Sequence, residues 1–156
     1  MRPFLLIIGL LFYSFVHAQE LKIGEVTNRI QLGELAGNRD LAFGVKNILE
    51  EVIQDFGYDL NPNSTSVLTV DILFFDVMKN SVQLGVYGKN IDVYQLAATA
   101  TFYIDGKKKQ TVSAKATAKS ISTATLIIDQ GGKFSQANVS TAMKKLCEQL
   151  IEKLKL

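Results

Sequence analysis

Apolar residues recur along this chain with two different periods. Between residues 41 and 56, Leu41, Val45, Ile48, Leu49, Val52, Ile53 and Phe56 follow the i, i+4, i+7, i+8 spacing of a single helical face. Asn38 and Asp40 are candidate N-caps, and Gly57 stands where a left-handed C-cap is expected. Between residues 139 and 154, Val139, Met143, Leu146, Cys147, Leu150, Ile151 and Leu154 repeat the stripe, with Lys144, Lys145, Glu148, Gln149, Glu152 and Lys153 on the opposite side. Two helices with matching stripes need a common apolar surface to cover.

Period-2 segments supply it. Leu21–Thr27 is a short strand candidate. In Val67–Val77 the even positions Leu68, Val70, Ile72 and Phe74 are apolar, while Thr69 and Asp71 fall on odd ones. From Ile91 to Ile104, Leu96, Ala98, Ala100, Phe102 and Ile104 alternate with Ala97, Thr99, Thr101 and Tyr103. From Lys109 to Ile121, Val112, Ala114, Ala116 and Ala118 alternate with Thr111, Ser113, Lys115, Thr117 and Lys119. Such alternation gives each strand one dry and one wet face. The predicted fold is α+β: a two-layer sandwich with two amphipathic helices on one face of an antiparallel-rich sheet, in the order β-α-β-β-β-α.

Parity constrains the hairpin around Asp105-Gly106. A two-residue turn alone pairs even positions with odd ones and puts the two apolar sets on opposite faces. A three-residue loop, Ile104-Asp105-Gly106 with Gly106 left-handed, aligns them, as does a bulge with the same effect. Small alanines on the shared inner face then let a helix approach closely. Residues 122–132 are ambiguous: Thr125–Ile128 reads as a further strand or strand end, and Gln130-Gly131-Gly132 as a turn.

The N-terminus changes the picture from a bare domain to an exported one. Arg2 is the only charge before Glu20, Phe4–Val16 is almost wholly apolar, and Val16-His17-Ala18 fits a signal peptidase site. The apolar run is short for a bilayer span. Residues 1–18 are therefore expected to be a signal peptide and residues 19–156 one domain, periplasmic or extracellular, with no transmembrane segment. Removing Arg2 leaves a nearly neutral chain, which argues against a nucleic-acid partner. The basic run Lys107-Lys108-Lys109 follows Asp105-Gly106 and reads as a solvated turn.

Candidate chemistry is sparse. His17, the only histidine, leaves with the signal peptide, so the mature domain has no imidazole for a metal, a triad or a proton shuttle. Cys147, the only cysteine, lies on an apolar helical stripe and reads as structural; no internal disulfide can form. Asp71, Asp76 and Asp92 lack a spacing that pairs two acids. Gly85-Val86-Tyr87-Gly88 lacks the lysine and helix of a phosphate cradle. No catalytic residue, cofactor or metal is expected. Aromatic residues are more suggestive: Phe75 and Tyr103 occupy odd strand positions, facing away from the helices, and Tyr87 and Tyr94 flank a loop. With Leu73 they form a candidate partner-binding patch.

The order of elements carries a resemblance. Glu25-Val26-Thr27-Asn28-Arg29 closes the first strand, a helix runs to Phe56-Gly57-Tyr58, and Val67-Leu68-Thr69-Val70-Asp71-Ile72 follows as a strand before a polar-faced hairpin and a final helix. This resembles YajG-like lipoproteins, LpoB-type penicillin-binding-protein activators and the core of curli-secretion lipoproteins. The resemblance implies a two-helix, one-sheet periplasmic domain that binds other envelope proteins. Asn28 stands where such proteins often have Asp, and no lipobox cysteine stands at the cleavage point. The expected function is a non-enzymatic binding or assembly module of the bacterial cell envelope, with an envelope protein as partner and self-association allowed. The alternatives are a secreted inhibitor or small-ligand (lipid) carrier, and an enzyme working with carboxylates alone.

Overall fold

The computed structural model describes residues 19–32, 41–84, 87–124 and 136–156. The signal segment, the cap candidates Asn38 and Asp40, and the Thr125–Gly132 strand and turn lie outside the described residues. The elements are β1 (Glu20–Leu32), α1 (Ala42–Asp55), β2 (Asp59–Leu60), β3 (Ser66–Leu84), β4 (Tyr87–Ile104), β5 (Lys107–Ala124) and α2 (Gln136–Leu154). Both helices fall where the apolar stripes place them. Leu41 sits at the N-cap of α1 without a side-chain cap. Gly57 has φ +83° and its N–H donates to the Gln54 carbonyl, while Tyr58 N–H returns to Ile53, which closes the helix as its position implies.

The fold is α+β, with two helices and a curled, mixed sheet in the spatial order β2-β1-β3-β4-β5. This corrects the antiparallel-rich expectation. β1 pairs in parallel with both β2 and β3, whereas β3–β4 and β4–β5 are antiparallel. The reason is α1: a helix inserted after β1 returns the chain to the same end of the sheet, so the strands that follow run parallel to it. The order also gains β2, whose two residues are too short to give a period.

One core joins the elements. Val45, Leu49, Val52 and Ile53 of α1 meet Ala142, Met143, Leu146, Cys147, Leu150, Ile151 and Leu154 of α2 over Leu68, Val70 and Ile72 of β3 and the even positions of β4 and β5. Ala98, Ala100, Ala114, Ala116 and Ala118 are all buried, and α2 lies against β4 and β5. Gly44 brings the helices close as well: a methyl group there would lie 3.3 Å from the Met143 sulfur. No polar or charged side chain is buried among the described residues.

The hairpin resolves the parity conflict with a bulge and not with a longer loop. Ile104 pairs with Lys107 across a two-residue turn in which Asp105 and Gly106 have φ +51° and +72°, as a type I′ turn requires. The ladder then steps from Tyr103↔Lys108 to Phe102↔Gln110, leaving Lys109 as the extra residue. From there even positions face even: Ala100↔Val112, Ala98↔Ala114, Leu96↔Ala116.

A second bulge has larger consequences. β3 steps from Ile72↔Ala98 to Phe74↔Ala97, leaving Leu73 unpaired and reversing the phase beyond it. Phe75 and Val77 therefore point into the core, paired with Leu96 and Tyr94.

Candidate functional site

Cys147 is fully enclosed, and burial pushes its thiol up to about 12, with a smaller contribution from the Glu148 charge. Such a thiol is a packing residue and a poor nucleophile. Two expectations follow. A thiol reagent at neutral pH will label Cys147 only after unfolding. Because the folded thiol binds its proton more tightly than the unfolded one, its contribution to stability is intact below about pH 9 and is lost as pH rises toward 12, by up to about 1.4 kcal/mol per pH unit. Alkaline unfolding curves compared with Cys147→Ala, which lacks that slope, measure it.

Asp71, Asp76 and Asp92 line neither the cleft between β1 and α1 nor the one between the helices. Asp71 accepts from the Thr27 hydroxyl and lies 3.1 Å from the Arg29 guanidinium, tying β1 to β3 on the outer face. Asp76 accepts from the Val77 N–H. No cluster of three metal-ligating side chains exists among the described residues. A cleft of about 230 Å³ lies between β1 and α1, with Leu21, Leu60, Lys46 and Glu50 in its wall. Another of about 380 Å³ runs between the helices beside Glu51, Lys144 and Glu148. The second is bordered by the exposed Lys144–Glu51 contact at 2.7 Å. Neither has the enclosed apolar lining of a carrier site.

The five residues of the candidate patch do not come together. Phe75 and Tyr94 are 0 % and 1 % exposed and belong to the core. Phe75 is turned inward by the Leu73 bulge; Tyr94 continues the even, inward series of β4. Leu73 is 43 % exposed at its bulge and Tyr87 69 % exposed at the far end of β4. Tyr103 is half-buried near the Asp105-Gly106 turn, about 50 Å along the strand from Tyr87 at ~3.3 Å per residue.

The exposed surface of the sheet has a different organisation, which the strand candidates missed because they ended at Val77 and began again at Ile91. Its outer face is polar over the half nearest the Asp105-Gly106 turn. There Thr99 and Ser113 hydroxyls lie 2.9 Å apart and Thr101 and Thr111 hydroxyls 3.2 Å apart. Farther along, the same face becomes apolar: Met78 is paired with Val93, and Val82 and Tyr87 stand 52 % and 69 % exposed.

Among the described residues β5, Lys107–Ala124, is an edge strand of the sheet. Its odd residues direct their backbone groups to the free side. Thr101, opposite Thr111, turns its carbonyl toward Thr69 of β3, and the Ser113 carbonyl receives Lys153 Nζ of α2 at 2.7 Å. Since backbone polarity alternates along an antiparallel strand, Lys115, Thr117 and Lys119 also offer their N–H and C=O outward. Five lysines and no acid stand in β5.

No protein-family model matches the chain, and no curated protein matches it in sequence. Its fold is nevertheless similar to those of bacterial proteins of solved structure. The hypothetical protein CT253 from Chlamydia trachomatis is similar at 8 % identity and TM-score 0.53, covering 88 % of this chain and 96 % of that one. Protein XCC0632 from Xanthomonas campestris, of family DUF330, is similar at 11 % identity and TM-score 0.50, covering 88 % and 82 %. A minor lipoprotein from Acinetobacter baumannii aligns at 10 % identity and TM-score 0.44 over 87 % and 88 %.

Proposed function

We propose that this chain is a non-enzymatic, exported binding or assembly module of the bacterial cell envelope, allied to the YajG-like and LpoB-type domains. The observation that carries this reading is the open β5 edge. An edge strand whose odd residues Lys115, Thr117 and Lys119 turn N–H and C=O groups outward is a template on which an extended segment of a partner adds a strand. Its lysines discourage pairing of two β5 strands and favour an acidic partner segment. Small-ligand transport is less well supported, since the clefts are lined by charged side chains.

The test is site-specific photocrosslinking in living cells of the native host. A crosslinker at Lys115 should trap a discrete heavier species, and one at Gln54, on the exposed side of α1, should not. Thr117→Pro removes an outward N–H while leaving the β4 ladder in place, so it should abolish the trapped species without unfolding the domain. An unchanged crosslink in Thr117→Pro, or none at Lys115, would remove strand addition as the mode of binding.

A further inference from the structure

The distal end of the β3–β4 hairpin has its own amphipathic design. In β4 the inward series Phe102, Ala100, Ala98, Leu96, Tyr94 is apolar, and it gives way at Asp92 to a polar residue. The outward series does the reverse: Thr101, Thr99 and Gln95, with the small Ala97 among them, give way to Val93, Ile91 and Tyr87, interrupted by Lys89. β3 repeats the exchange on its outer side, from Asp76 to Met78 and Val82, with the exposed Asn80 between them. No bulge interrupts either ladder beyond Phe74, so the inversion is written in the residues and not in a phase slip. The apolar outer positions are therefore not a continuation of the core.

Charge identifies what they meet. The one acid at this end, Asp92, pairs with Lys79 on the inward series, and beyond Asp76 the outer face of β3, β4 and β5 carries lysines and no acid among the described residues. On the outer face, exposed Lys89 pairs with Val82, and exposed Lys119 pairs with Val93. An apolar surface bearing Tyr at its tip and lysines at its side matches a bilayer interface with negative headgroups: the apolar side chains enter the acyl boundary, Tyr87 sits at headgroup level, and the lysines reach phosphates. We propose that this hairpin end docks the domain on an anionic phospholipid surface through Met78, Val82, Tyr87, Ile91 and Val93, with Lys89 and Lys119 supplying the attraction. This goes beyond the protein-binding reading, which rests on the β5 edge and shares only Lys119 with it; it presupposes only export.

The test is flotation of the exported, processed protein with vesicles of phosphatidylcholine alone or with about 30 % phosphatidylglycerol. The protein should float with the anionic vesicles, less so as salt rises. Val82→Asp/Tyr87→Asp should weaken this at least about tenfold, and Lys89→Glu/Lys119→Glu should erase the preference for anionic vesicles. All four positions are exposed, so the thermal midpoint should not move, and the Lys115 crosslink should persist in Val82→Asp/Tyr87→Asp, which leaves the β5 edge untouched. Absence of flotation, equal binding to neutral vesicles, or variants that float like the parent would overturn the proposal. A tip variant that alters oligomeric state while the parent ignores vesicles would overturn it in favour of a second copy. Loss of the Lys115 crosslink with vesicle binding intact would count against the protein partner alone.

Discussion

Phe75→Ala will lower stability by about 3–5 kcal/mol, the range for emptying a core phenylalanine site, whereas Leu73→Ala, two residues earlier, will stay within about 0.5 kcal/mol. Both residues stand in the same strand and both look like partners for a binding surface. The difference arises from the bulge between them. Phe75 is wholly enclosed opposite Leu96, with Val77 and Tyr94 beside it, while Leu73 is extruded from the ladder and 43 % exposed. Urea titration followed by circular dichroism reads both variants, and the midpoint should move for Phe75→Ala with no change in slope. A pair of variants with equal, small effects would place Phe75 on the outer face after all, and the phase of the distal β3 strand would have to be reversed.

That reversal marks the limit of what the residues alone disclose. The two helices follow from their stripes because seven apolar residues at helical spacing leave one consistent face: that face is buried except at Phe56, which is 43 % exposed just past the end of α1, and at the half-buried Ile48 and Val139. The aligned faces of β4 and β5 follow from parity, since both strands keep their alternation over many residues and the turn between them is short. The bulge at Leu73 could not be read in the same way. Ile72-Leu73-Phe74-Phe75 is an unbroken apolar run, so a one-residue shift changes no polar position and leaves no mark on the pattern. Tyr94 was more accessible: it shares the parity of Leu96 and belongs to the same inward series. Where the apolar residues change sides beyond Val77 and Tyr94, alternation stops resembling a half-buried strand, and the strand residues 78–84 and 87–90 read as a loop. Parallel pairing of β1 is invisible for another reason. Pairing partners are set by the crossover through α1, a tertiary matter, and not by any period in the strands themselves. The candidate site shared this fate, because an open edge is a property of strand order and not of any strand's composition.

Single-residue deletions distinguish the bulges from the rest of the sheet more sharply than any substitution. Removing Leu73 makes the pairs Ile72↔Ala98 and Phe74↔Ala97 consecutive, so the β3–β4 ladder becomes regular and Phe75 and Val77 keep their inward direction, while the existing bulge of β1 between Asn28↔Ile72 and Gln31↔Phe74 grows by one residue. Removing Lys109 makes Phe102↔Gln110 and Tyr103↔Lys108 consecutive. Each deletion should cost about 1–2 kcal/mol, since no core side chain changes direction and the Leu73 deletion adds only a wider bulge in β1. Removing Ala98 is different. It pairs with Ile72 on one side and Ala114 on the other, and no bulge in β4 can absorb its loss. Either Leu96 and Tyr94 turn outward, or Ala100 and Phe102 do, unless β3 and β5 each acquire a new bulge at the same level. Turning Leu96 and Tyr94, or Phe102 and Ala100, into water while polar neighbours turn inward consumes a large share of the roughly 5–15 kcal/mol that holds a domain of this size. The Leu73 and Lys109 deletions should therefore melt cooperatively near the parent, and the Ala98 deletion should show no cooperative transition. If the Leu73 deletion behaves like the Ala98 deletion, the extra residue in β3 lies elsewhere; Phe75 then has no reason to face the core.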